Sequence, residues 1–85
     1  MAEDPWYRSR TLEALGAALA DMRDLRGLTQ TDLAEKISTS RPTISRIERG
    51  EAASDATVLK AVAAMGYELI AVPRGRTVHV ETTGT

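Results

Sequence analysis

Apolar positions along the chain recur with a helical period four times and then switch to the alternation of a strand. Thr11 or Ser9 can cap a first helix whose Leu12, Leu15, Leu19 and Met22 repeat at three- and four-residue spacing, with Gly27 as its stop. Thr29 can cap a second helix of about two turns, with Asp32 at its third position and Leu33, Ala34 and Ile37 as its apolar stripe. Ser40 caps a third, which tolerates Pro42 in its first turn, turns Ile44 and Ile47 inward and ends at Gly50. A fourth starts at Ser54 or Asp55, buries Val58, Leu59, Val62 and Met65, and stops at Gly66. After Gly66, YELIAV and TVHVET read as two strands joined through PRGR, where Pro73 suits the second turn position and Gly75 a left-handed fourth. Leu69 and Ala71 make one apolar face of the first strand and Ile70 and Val72 the other, whereas the second is apolar only at Val78 and Val80. A strand covered on both faces is interior to a sheet, and a lone hairpin is marginal, so a second chain's strand would complete it.

The pattern gives a mainly α fold: a bundle of four or five helices with a short C-terminal β-hairpin that pairs across a dimer. It divides the chain into an N-terminal arm (1–10), a helical domain (11–66), a β dimerisation segment (67–82) and a tail (83–85). Residues 1 to 8 read as a loosely held arm, in which Trp6 and Tyr7 dock on the helical core or on a second subunit. With 85 residues the chain is one small domain, for which a second subunit is a natural source of extra buried surface. There is no cysteine, hence no disulfide framework and no thiolate chemistry, which suits a reducing cytoplasm. The N-terminal stretch lacks the apolar core of an export signal, and no apolar run is long enough to span a membrane.

Charge changes the picture locally. The chain carries a formal −1, yet residues 36–50 hold Lys36, Arg41, Arg46 and Arg49 against the single carboxylate of Glu48. Ser40, Arg41, Thr43, Ser45, Arg46 and Arg49 lie off the Ile44/Ile47 stripe. Two helices joined by a short turn, the second exposing such residues from its first turn, form a helix-turn-helix that can lay the second helix in a DNA major groove. Arginine offers the bidentate fork that guanine accepts there. His79 is the only histidine and has no companion ligand, so no metal is assigned; Met22 and Met65 read as packing. No nucleophile triad, carboxylate pair or phosphate-cradling loop is visible, so neither an enzyme nor a cofactor is expected.

The segments LTQTDLAEKI and SRPTISRIERGE resemble the phage-repressor and Cro type of helix-turn-helix domain, the xenobiotic-response-element family, over residues 12–66. The resemblance implies that Gln30 contacts the DNA backbone and supports the reading helix, and that Arg41, Pro42 and Arg46 read bases, with Thr43 and Ser45 nearby. It also implies a salt bridge between Arg23 and Glu48. One position departs: the turn usually carries glycine where this chain has Ser38, which must then accept a less comfortable backbone. The ending AVAAMGYELIAVPR resembles HipB-like antitoxins, in which C-terminal strands of two chains pair. Members of that group repress their own operon and bind a kinase-like toxin. The expected function is therefore a homodimeric, sequence-specific regulator acting on an inverted-repeat operator. An antitoxin role is open, and so is the alternative of a module that mainly holds a toxin. The tail ETTGT offers no apolar anchor for one.

Overall fold

The computed structural model describes residues 4–76. Four helices follow in chain order: α1 (Leu12–Leu25), α2 (Gln30–Lys36), α3 (Arg41–Glu48) and α4 (Asp55–Ala64). Each begins on a side chain chosen for the task. The hydroxyls of Thr11, Thr29, Ser40 and Ser54 accept from the backbone N–H three residues on, which satisfies one of the first-turn donors that have no partner inside the helix. At α2 the arrangement is reciprocal, because the Asp32 carboxylate accepts in turn from the Thr29 N–H at 2.9 Å. Those hydrogen bonds hold the Asp32 carboxyl below its ordinary pKa.

All four helices end alike. The residue after each cap has positive φ, and its N–H and that of its successor return to the last carbonyls, as in Gly27 to Asp24 and Leu28 to Arg23. Gly27, Gly50 and Gly66 occupy this position at the ends of α1, α3 and α4, and Ser38 occupies it after α2 with φ +57°. The altered residue in the turn thus keeps the ordinary turn geometry, with Ser38 N–H bonded to Glu35 O and Thr39 N–H to Ala34 O.

The core forms where the apolar stripes meet: Leu19 and Met22 of α1, Leu33 and Ala34 of α2, Ile44 and Ile47 of α3, Ala61 and Val62 of α4, with Ile37 and Met65 just beyond their helices. Two expected core positions are not there. Leu59 is 54% exposed and Leu12 49%. Leu59 sits about 100° around the helix from Val58, which puts it at the flank of the stripe made by Val58, Ala61, Val62 and Met65. Leu12 lies in the first turn of α1, at the rim of the core, where it lines a surface groove with Leu15 and Ile47.

Residues 67–73 have no regular secondary structure, and Arg74 and Gly75 make a turn with Gly75 at φ +77°. The first strand of the expected hairpin is thus not formed, and Leu69, Ile70, Ala71 and Val72 are exposed instead of covered. A ladder needs a neighbour to exchange hydrogen bonds with, and one copy of the described residues offers none. The second strand, with Val78 and Val80, and His79 lie outside the described residues. The arm departs from expectation in the other direction, since residues 4–7 are fastened. Asp4 forms a two-pronged ion pair with Arg26 at 3.0 and 3.1 Å, the Tyr67 hydroxyl donates to Pro5 O at 2.8 Å, and the Tyr7 hydroxyl donates to Asp21. Arg26 also donates to Met65 O and lies over the Tyr67 ring. Trp6 remains half exposed. No helix among the described residues is long and apolar enough to cross a membrane.

Candidate nucleic-acid interface

Helix α3 is fixed from below and open from above. Ile44 and Ile47 anchor it in the core, whereas Arg41, Pro42, Arg46 and Arg49 are exposed and Thr43 and Ser45 half-buried. Ser40 at the cap is exposed, and its hydroxyl lies 2.9 Å from that of Thr43. Pro42 costs nothing at this place, because a first-turn N–H has no helical partner to lose.

The orientation of α3 is held by a polar cluster under it. Arg23 on α1 meets Glu48 on α3 through two parallel bonds, Nε to Oε2 at 2.8 Å and Nη2 to Oε1 at 3.0 Å. A fork of this kind is among the stronger ion-pair geometries. The third donor of the guanidinium, Nη1, reaches Leu28 O at 2.8 Å, so that one arginine ties α1, the turn before α2 and α3 together. Gln30 on α2 completes the set by donating from Nε2 to Glu48 Oε1 at 3.0 Å. The side chains of Arg23 and Glu48 are only 15% and 8% exposed, and no buried side-chain polar atom among the described residues lacks a partner. Hydrogen bonding to Glu48 raises the Arg23 pKa further, so the guanidinium stays charged at any ordinary pH.

Above this clamp the exposed groups arrange one another. Arg46 Nη2 lies 3.4 Å from the Thr43 hydroxyl, and Arg49 Nη1 donates to Ser45 Oγ at 2.7 Å. Arg49 also pairs with Glu51 at 3.0 Å, a neighbour that reading the sequence for cations passed over. Arg41 stands beside a groove of about 420 Å³ whose wall includes Arg23, Thr29, Gln30 and Thr31, at the start of α2. The expected contact residues Gln30, Ser40, Arg41, Pro42, Thr43, Ser45, Arg46 and Arg49 are thus brought to α3 and the N-terminal end of α2, whereas Leu69 to Val72 lie elsewhere.

A second residue that sequence reasoning passed over is Gly16. It is buried on α1, and a Cβ there would collide with the backbone carbonyl oxygens of Ile47 and Glu48. The bare backbone lets the end of α3 lie directly on α1. The available signal was a glycine inside an otherwise helical pattern, which can mark a close packing approach.

Two helices joined through a tight turn, the second presented outward on a buried ionic clamp, define a helix-turn-helix protein. The helix-turn-helix family model HTH_3 matches residues 19–70, and the chain belongs to this family of DNA-binding regulators. Among solved structures, two of the clp gene regulator ClgR from Corynebacterium glutamicum are similar. One is 33% identical over 81% of this chain and 85% of that one, with a TM-score of 0.66. The other is 36% identical over 67% of this chain, which spans only 62% of that ClgR chain, with a TM-score of 0.62. A toxin-antitoxin module from Streptococcus pneumoniae is 34% identical over 74% of this chain and 70% of that chain, with a TM-score of 0.61. A chain of the HipA-HipB-O2-O3 complex shares the fold at 23% identity, over 81% of this chain and 99% of that one, with a TM-score of 0.73. No curated protein sequence matches the chain.

Proposed function

We propose that this protein is a homodimeric, sequence-specific transcriptional regulator that represses its own operon by binding an inverted-repeat operator in the cytoplasm. The observation that carries this reading is the pairing of a fixed base with a free top. Arg41 and Arg46 stand exposed on a helix whose tilt is set by Arg23, Glu48 and Gln30. In the major groove Arg41 and Arg46 reach base edges, and Pro42 offers only apolar contact, for instance to a thymine methyl. Ser40, Thr43 and Ser45 border the read bases. Gln30, Thr43 and Arg49 hold phosphates and set register without carrying sequence information.

Two copies place their α3 helices about 34–36 Å apart, roughly one duplex turn, when the two-fold axis of the dimer coincides with that of the operator. The dimer is built by pairing the segment Leu69, Ile70, Ala71 and Val72 with its own copy, supported by Val78 and Val80. Exposure of the first four in a single copy supports this, because each copy offers what the other lacks.

Selection of bound fragments from random DNA, at stated salt, tests the reading and returns the operator. Arg46→Ala is expected to cost ~1–3 kcal/mol and relax one base position per half-site. Arg49→Ala is expected to weaken all sequences alike and flatten the salt dependence. If Arg41→Ala and Arg46→Ala both leave the preferred sequence and affinity unchanged, α3 is not the reader.

A second reading, an antitoxin, is supported by the 34% identity to a chain of the Streptococcus pneumoniae toxin-antitoxin module, and a kinase-like toxin as its partner rests on the resemblance of the C-terminal stretch alone. In its strongest form the protein mainly holds the toxin and DNA contact is secondary. A kinase-like reading frame beside this one, whose product co-purifies with the chain, supports it; a solitary gene leaves the regulator alone.

A further inference from the structure

The three exposed arginines on α3 and at its end are not equally free. Arg41 and Arg46 meet no carboxylate within ion-pair distance among the described residues. Arg49 does. Its Nε donates to Glu51 Oε2 at 3.1 Å, its Nη2 lies 3.0 Å from the same oxygen, and its Nη1 donates to Ser45 Oγ at 2.7 Å. One of the two guanidinium edges that a phosphate can take two-pronged is thus already held by an anion. The stop of α3 puts that anion there. Gly50, at φ +86°, reverses the chain, and the Glu51 N–H returns to Arg46 O at 3.0 Å, which sets the Glu51 side chain beside Arg49. The two side chains are 60% and 51% exposed, so theirs is a weak pair that another anion can displace, unlike the buried clamp of Arg23 and Glu48.

We propose that Glu51 competes with the DNA backbone for Arg49 and so sets how tightly the protein holds DNA of any sequence. The proposal rests on the regulator reading above, in which Arg49 holds a phosphate. A phosphate that reaches Arg49 displaces Glu51, and the released carboxylate then stands beside the duplex as an unmatched anion. The counterions that Arg49 frees from the backbone are partly offset by the cation that Glu51 takes up, so this contact adds less to the salt dependence than a lone arginine would. Arg41 and Arg46 have no such rival. Competition therefore falls on the contact that carries no sequence information and spares the two that read bases, so that a larger share of the binding free energy depends on the right sequence.

A double-mutant cycle of Glu51→Gln and Arg49→Ala on the full chain tests it, read by fluorescence anisotropy of a labelled random-sequence duplex and of the selected operator over a salt series. Glu51→Gln is expected to tighten binding to both duplexes roughly two- to fivefold per bound copy at low salt and to steepen the salt slope by up to about 0.9 per copy. In the Arg49→Ala background both gains are expected largely to vanish. Glutamine keeps the shape of glutamate, and unchanged circular dichroism confirms that the helices are intact. Asp55→Asn controls for charge alone, since Asp55 lines the same groove as Glu51 and pairs with no cation among the described residues. If Glu51→Gln tightens binding as much without Arg49 as with it, or Asp55→Asn matches it, the carboxylate acts by general repulsion and the competition is overturned. An Arg49→Ala variant that binds more weakly while Glu51→Gln changes nothing overturns it too, and leaves the DNA reading standing. If Arg49→Ala itself leaves affinity and salt slope unchanged, the phosphate role given to Arg49 fails and the competition falls with it.

Discussion

Glu48 accepts three hydrogen bonds from two helices while almost shut off from water, and a carboxylate in that position cannot be removed without stranding its partner. Glu48→Ala leaves the Arg23 guanidinium facing a cavity with its charge unmatched, and is expected to cost ~3–5 kcal/mol in denaturant unfolding. Unchanged melting in this variant would show the pair to be ornamental. Ser38 makes the opposite prediction. An L-residue in the left-handed region costs roughly 1–2 kcal/mol that glycine does not incur, so Ser38→Gly is expected to stabilise by about 1 kcal/mol after the entropy of the freer unfolded chain is offset. A loss of stability in Ser38→Gly would show that the serine side chain contributes something its exposed position does not suggest.

Among the elements, caps and stops were the most legible feature because they are local. Thr29 with Asp32, or Ser40 before Pro42, carries its structural meaning within one helical turn, and all four starts are where such chemistry puts them. Long-range partners were not legible. The arm reads as loose because nothing within ten residues holds it; its fastening depends on Arg26 and Tyr67, which the fold alone brings to it. Leu59 was misplaced because a short helix admits more than one plausible stripe, and Ala61 wins the buried position by being small. The arm gives the pH prediction. Arg26 holds the Asp4 carboxyl below its ordinary 3.8, chiefly through the hydrogen bonds it donates, so the latch is whole above about pH 4 and is lost as pH falls through that range and below. Burial, then the bond to Asp21, raises the Tyr7 phenol above its ordinary 10.0, so its contribution is whole below pH 10 and is lost only as pH climbs past the raised value. Fluorescence of Trp6, the single tryptophan, is expected to stay constant between these limits and to change at both ends. A Trp6 signal unchanged by Asp4→Asn at neutral pH would show that the ion pair does not hold the arm.

For the whole molecule, the helix-turn-helix could be read from two dozen residues, whereas the assembly could be read only as a need. The apolar run from Leu69 to Val72 calls for a neighbour, but which surface supplies it depends on how α1, α4 and the arm come together. A chain ending before Tyr67 is expected to be monomeric at micromolar concentration by sedimentation and to protect single half-sites weakly, while the intact chain protects both. A truncated chain that still dimerises would move the interface to α4.

The bond from Gln30 to Glu48 has a consequence for how tightly such a reader can grip. A free glutamine side chain gives up rotamer freedom worth up to about 1.5–2 kcal/mol when it is fixed. Here one hydrogen of the Nε2 amide already rests on Glu48, so that freedom is surrendered during folding and not on meeting DNA. On the function proposed above, the second hydrogen is the one offered to a phosphate oxygen, at almost no further entropic expense. Glutamate at position 30 would set two carboxylates face to face and lose both bonds. Methionine, similar in reach but with no hydrogen to give, would keep the packing and return the side chain to a disordered search.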